Sequence, residues 1–250
     1  MPNQSSRRRI PPNTVCYLCG RPIADDEPWN RDHIPPERFF AHVVKVQFNP
    51  QLQWLYTHAS CNSAYREDEE YAIAVLAGHA KSPVGDAVID DLRRAIAKGH
   101  SRGLLKAIVN AFGTVTGPRG ERVFQIETHR IHRFIWKLVR GIYFLELGRV
   151  LPEDTPRDIR VITPYNAPTD LPQIPWFPII RDTEPLARYG NVFDYKWIGQ
   201  RVDAGIRGHM MALLLWDGII VLILFHDPTC SCIACFESSD ASVSESAPRI

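Results

Sequence analysis

Two short clusters in the first quarter of the chain hold residues whose types and spacing could do chemistry. Cys16 and Cys19 stand two residues apart and run into Gly20, and His58 and Cys61 repeat the same spacing further on. Three thiols and an imidazole in two such pairs are a donor set for tetrahedral Zn²⁺. Four protein ligands leave no position for water, so a zinc ion held this way stabilises the fold and does not itself catalyse. Other residues are left over beside it: Asp32 and His33 within Arg31-Asp32-His33-Ile34-Pro35-Pro36, and Asn62 directly after Cys61. The oxygens of Asp32 and Asn62 suit Mg²⁺ or another hard divalent ion. A neutral His33 beside them could deprotonate water. Such an ion would bind a phosphate and offset charge on a leaving oxygen, so the set is a kit for phosphodiester hydrolysis.

The elements that must position these residues follow from local pattern. Gly20 supplies the positive φ of a tight metal-binding turn. Residues 29–33 read as a strand, ended by Pro35 and Pro36, which exclude a helix there. A second strand is expected over 51–57 and a helix over 60–77, stopped by Gly78. The result is a β–β–α module with the metal ligands at its joints. An amphipathic helix is expected over 86–98, capped by Asp86, then a further helix over 101–111. A hairpin is expected around Gly117-Pro118-Arg119-Gly120. The longest helix should run from 128 to 147. Ile131, Phe134, Ile135, Leu138, Ile142 and Leu145 form its apolar face, with Arg130, Arg133, Lys137 and Arg140 on the other. A proline-rich connection follows, then β structure over 191–198 and 209–225. Asp217-Gly218 reads as the type I′ turn of the second hairpin.

The chain has 250 residues, 45% hydrophobic and 23% charged, enough to bury a core. The fold class expected is α+β, with a disordered tail over 1–12, the zinc-stapled module over 13–84 and a helical region with a hairpin over 85–150. A proline-rich and β region over 151–235 and a disordered tail over 236–250 complete it. The net charge is +1, but 67–92 is acidic while 93–149 carries twelve Lys and Arg against three Glu. That asymmetry fits either a polyanionic partner or solvated helix faces. No apolar leader precedes the module, and the cysteines read as metal ligands, so a cytoplasmic protein is expected. The apolar stretch 209–225 is interrupted by Asp217-Gly218 and reads as buried strands in place of a membrane span. Cys230, Cys232 and Cys235 form a second, three-member cysteine group.

Over residues 14–80 the chain resembles the HNH endonucleases, the ββα-metal nucleases, including members like phage recombination endonuclease VII. The resemblance lies in Cys16-x2-Cys19-Gly20, in Arg31-Asp32-His33-Ile34-Pro35-Pro36, and in Cys61-Asn62 leading to Asp68-Glu69-Glu70-Tyr71. It implies a treble-clef-like module. Cys16, Cys19, His58 and Cys61 would hold structural zinc. Asp32 and Asn62 would hold a catalytic divalent ion such as Mg²⁺, with His33 as general base. Asn49 would be the middle Asn of the motif, and DNA the substrate. His58 stands where the family usually has Cys, a change zinc tolerates, and Tyr65 stands where a basic residue is usual. Arg38, Lys45 and Arg66 are the candidates for phosphate contact. Two other readings of the same residues stand beside a DNA endonuclease. One is a zinc-dependent nucleic-acid-binding module without catalysis, and the other an interaction protein in which the zinc module is scaffold.

Overall fold

The computed structural model describes residues 10–100, 103–105, 112–116, 122–124, 126–164, 187–199 and 209–226. The chain is α+β, with helices and antiparallel sheets. It opens with a turn in which the Gly20 amide donates to Cys16 O at 2.8 Å and the Cys16 amide to Arg21 O at 2.9 Å. Gly20 takes the expected positive φ of 72°. Strands β1 (Trp29–Ile34) and β2 (Gln53–His58) pair antiparallel, Asp32 opposite Leu55 and His33 opposite Trp54. A 3-10 turn (Glu37–Phe39) and helix α1 (His42–Phe48) connect them.

The helix expected after β2 is two helices, α2 (Ala59–Ser63) and α3 (Arg66–His79). The break at Ala64–Tyr65 has a tertiary cause. Tyr65 is buried and its ring faces the Arg133 guanidinium at 4.5 Å, while Arg133 also donates to the freed Ala64 O at 3.1 Å. Helix α4 (Pro83–Ala97) starts earlier than Asp86 suggests. Ser82 is its N-cap and accepts from the Gly85 amide at 3.1 Å, with Pro83 at the first helical position. Asp86 lies inside the first turn, where it complements the helix dipole. Strands β3 (Phe112–Thr116) and β4 (Arg122–Phe124) pair antiparallel as the Gly-Pro-Arg-Gly motif requires; the turn itself lies outside the described residues.

Helix α5 (Thr128–Leu147) has the expected bounds and an unexpected setting. Its middle is buried on every side, from Phe134 through Tyr143. The apolar stripe meets a five-stranded antiparallel sheet in the order β5-β9-β8-β7-β6. These strands are β5 (Arg157–Ile162), β6 (Ala187–Tyr189), β7 (Phe193–Gly199), β8 (His209–Leu215) and β9 (Ile219–Phe225). Trp136 and Tyr143 both pack on Phe225, with ring centroids 5.7 and 6.0 Å apart. The cationic stripe meets α3 and the N-terminal module instead of solvent. At Gly141 the helix backbone comes so close to β1 that an added Cβ would lie 2.6 Å from Ile34 Cδ1.

Residues 209–225 form the expected hairpin, but its left-handed pair is Trp216 and Asp217, at φ 48° and 54°. The shift by one residue follows from Trp216, which is fully buried. Its indole donates to Phe39 O at 2.9 Å and its amide to Val192 O at 2.9 Å, while its carbonyl accepts from Ser82 Oγ. These bonds hold a bulky residue in a conformation usually left to Gly, Asn or Asp. Phe39 of the module also packs on Phe134, Phe193 and Trp216, so a single core joins module, long helix and sheet. Strand β5 lies within the stretch read as a proline-rich connection. No helix among the described residues is long and apolar enough to cross a membrane. The expected helix over 101–111 falls largely outside the described residues. Both tails do so except for residues 10–12, and the cysteines at 230, 232 and 235 do so entirely.

Candidate functional site

The four residues singled out for zinc come together. One ligand atom from each of Cys16, Cys19, His58 and Cys61 lies within 4.8 Å of all the others. His58 Nδ1 is 3.3 Å from Cys19 Sγ and 3.9 Å from Cys61 Sγ. Around a tetrahedral zinc the S-to-N edge is about 3.5 Å, and these two distances bracket it. Two elements hold the pairs: the turn at 16–20, and the passage from β2 into α2. His58 Nε2 lies 3.1 Å from Glu27 Oε2, which sets the tautomer that presents Nδ1 to the thiols. Glu27 escapes a reading by ligand type because it binds no metal, yet it is the carboxylate that orients a metal-binding histidine. Burial, followed by the charge on Cys16, pushes the Cys61 thiol up to about 12. The Cys19 thiol is lowered: burial opposes this, and hydrogen bonds from Arg21 outweigh it. The donor set fits structural zinc, which would replace the Cys61 proton.

Asp32 and Asn62 are also brought together, around an occupant that the sequence does not announce. Lys137 Nζ, from the middle of α5, donates to Asn62 Oδ1 at 2.9 Å and to Glu69 Oε2 at 3.1 Å. It lies 3.2 and 3.0 Å from the two Asp32 carboxylate oxygens. The Lys137 side chain is 1% exposed and that of Asp32 is 7% exposed. Tyr17 OH donates to Asp32 Oδ2 at 2.5 Å. Burial first, then the Asp32 charge, raises the Tyr17 pKa well above its usual value, so the phenol stays a donor. The oxygens are those a hard divalent ion would take, but the point on which they converge holds an ammonium with its three donors satisfied. As the side chains stand, this cluster does not fit the expected Mg²⁺.

His33 is on the other face of β1. Side chains alternate along a strand, so the buried Asp32 faces α5 while His33 shares the outer face with its cross-strand partner Trp54. His33 Nδ1 lies 3.4 Å from Glu37 Oε1 in the 3-10 turn, and its side chain is 31% exposed. That contact places the proton on Nδ1 and leaves Nε2 as the basic nitrogen. Glu37 is a residue that motif reading missed, four positions beyond His33 and past the two prolines. Asn49 does not serve as a partner of His33 among the described contacts. It ends α1 in the left-handed conformation, its amide donating to Lys45 O at 2.9 Å and its carbonyl accepting from Gln51 Nε2 at 3.4 Å.

Of the candidate phosphate contacts, Lys45 shares the Glu37 carboxylate with His33, while Arg38 and Arg66 share Glu70. Lys45 Nζ lies 3.9 Å from Glu37 Oε2. Arg38, beside Glu37, pairs with Glu70, which Arg66 approaches at 3.8 Å. Their side chains are about two-fifths exposed for Arg38 and Lys45 and mostly exposed for Arg66. The same outer face carries aromatic side chains. Trp29 and Trp54 both pack edge-on against Tyr56, at 5.3 and 4.9 Å between ring centroids, and the Arg31 guanidinium lies 4.0 Å over Trp54.

Among the described residues, several cations of the basic stretch that suggested a polyanion are used inside the fold. Arg130 and Arg133 both donate to Asp68, at 2.9 and 2.5 Å. Arg140 donates to Leu151 O at 2.8 Å, to Tyr65 OH at 3.2 Å and to Leu18 O. Arg93 and Arg94 pair with Asp90 and Asp91. Among the described residues, Asp68, Glu69, Asp90 and Asp91 of the acidic segment are partners of Arg130, Arg133, Lys137, Arg93 and Arg94. No family model, no curated protein and no solved structure matches this chain.

Proposed function

We propose that the chain is an endonuclease of the HNH type that hydrolyses DNA phosphodiester bonds in the cytoplasm. In this reading residues 13–84 are a treble-clef-like ββα module stapled by zinc at Cys16, Cys19, His58 and Cys61. The observation that carries the proposal is His33. It sits on a hairpin whose flanking segments carry the cysteine and histidine pairs, its ring is partly exposed, and its Nδ1 is turned to the Glu37 carboxylate, which Lys45 also approaches.

In the reaction Nε2 of His33 takes a proton from water as the water oxygen attacks phosphorus. The bond from phosphorus to the 3′ oxygen breaks, the electron pair leaves with that oxygen, and solvent reprotonates it. Glu37 holds the ring and balances the charge that His33 acquires. The nearby cations hold the phosphate. No step runs through a divalent ion at Asp32 and Asn62. The test is nicking of plasmid DNA by zinc-loaded protein, wild type against His33→Ala. Loss of nicking in the variant at unchanged DNA binding supports the assignment, and equal nicking refutes it.

One observation favours the second reading, a nucleic-acid-binding module without catalysis. Lys137 sits where a metal-dependent nuclease would need its ion. That reading expects DNA binding through Arg31, Arg38, Lys45 and Arg66 with no product formed by wild type under any condition.

A further inference from the structure

The cluster around Lys137 has the composition of a metal site with a side chain in the metal's place. Two carboxylates and an amide oxygen, from β1, α2 and α3, converge on one buried point at 2.9 to 3.2 Å. Without a cation there, Asp32 and Glu69 would face each other with like charge in a poorly solvated site. The ammonium is not placed to swing aside. Its neighbours Trp136 and Leu138 are buried against the core, and one turn further Arg140 is tied to Leu18, Tyr65 and Leu151. The helix that delivers the lysine is the centre of the fold and not a flap.

We propose that Lys137 is the permanent cation of the Asp32–Asn62–Glu69 site, a side-chain replacement for a divalent ion. The folded protein then takes zinc at Cys16, Cys19, His58 and Cys61 and no metal at Asp32, Asn62 and Glu69. Removing the ammonium leaves a preformed oxygen site that a hard divalent ion fills. This concerns metal occupancy alone, so it stands or falls separately from DNA cleavage.

The test is Mn²⁺ titration of the zinc-loaded full chain, followed by the electron paramagnetic resonance signal of free Mn²⁺. Wild type shows no saturable binding up to about 1 mM, the weak end of oxygen-ligand sites. Lys137→Ala gains one site per chain, at least tenfold tighter, and the double variant Lys137→Ala/Asn62→Ala loses it. If Lys137→Ala fails to fold, Lys137→Met/Glu69→Gln removes the ammonium together with one carboxylate. Addition of Mn²⁺ then raises the melting temperature of that variant, or restores its folding, and leaves wild type unchanged. Saturable Mn²⁺ binding by wild type that Asp32→Asn abolishes overturns the proposal. So does absence of any Mn²⁺ binding or rescue in the variants lacking the ammonium.

Discussion

Replacing Arg140 with Met tests how the long helix is coupled to the zinc turn. The Arg140 side chain is 2% exposed and spans three segments. It reaches Leu18 O between the first two zinc ligands, Tyr65 OH at the joint of α2 and α3, and Leu151 O beyond the end of α5. Met keeps most of the apolar stem but strands the Leu18 and Leu151 carbonyls away from water, while the Tyr65 hydroxyl keeps its bond to Glu153. Each orphaned buried acceptor costs about 1–3 kcal/mol, partly offset because the variant no longer buries a charge. The expected loss is therefore about 3–4 kcal/mol. For a protein of this size that lowers the melting temperature by roughly 10 °C. Arg140→Lys keeps the charge but cannot reproduce the forked donor geometry, and loses about half as much. The assay is thermal and urea unfolding of zinc-loaded protein, with zinc release to a chromogenic chelator recorded in parallel. Release should speed up in Arg140→Met, because the Leu18 carbonyl lies inside the turn that holds Cys16 and Cys19. A midpoint within 2 °C of wild type and unchanged release would refute the coupling.

Glu27→Gln keeps the size of the residue that orients His58 but removes its charge. Zinc affinity by chelator competition should fall roughly tenfold to a hundredfold, and an unchanged affinity would show that Glu27 is a bystander. Zinc affinity should also depend on pH. The Cys61 thiol, raised to about 12 without metal, is protonated at neutral pH and must lose its proton to bind. Affinity therefore rises with pH from 6 to 8, by roughly tenfold per unit for each proton displaced, and a flat profile would contradict the assignment of Cys61. Asp68→Ala removes the shared partner of Arg130 and Arg133 between α3 and α5. Because Arg133 is partly exposed, the expected cost is about 1–2 kcal/mol; urea unfolding unchanged within error would show that pair to be idle.

Much of the site was legible because it depends on residue type and short spacing. Cys16 and Cys19 share a turn, and His58 and Cys61 share a strand-to-helix joint, so local geometry nearly determines their meeting. The bounds of α5 were legible for the same reason, since a periodicity of 3.6 is local. The destination of its polar stripe was not. Arg130, Arg133, Lys137 and Arg140 repeat like a solvated face, but their acceptors lie far away in sequence, at Asp68, Asp32, Asn62, Glu69, Leu18 and Tyr65. No local pattern records a partner 105 residues distant, the separation of Lys137 and Asp32. The adjacency of Asp32 and His33 misled in another way. Neighbours in sequence look like neighbours in a site, but strand alternation sends them to opposite faces. The turn at Trp216 shifted because hydrogen bonds to Phe39, Val192 and Ser82 outweigh the preference for Gly and Asp in left-handed positions.

The assignment of His33 as general base is tested most directly by single-turnover cleavage of end-labelled DNA by zinc-loaded protein without added divalent ion. Wild type should generate 5′-phosphate and 3′-hydroxyl ends. His33→Ala should cut at least about a hundredfold more slowly, the usual contribution of a general base, and added imidazole should restore part of the rate. Equal rates for the two proteins, or no cleavage by wild type with or without Mg²⁺ or Mn²⁺, would contradict it.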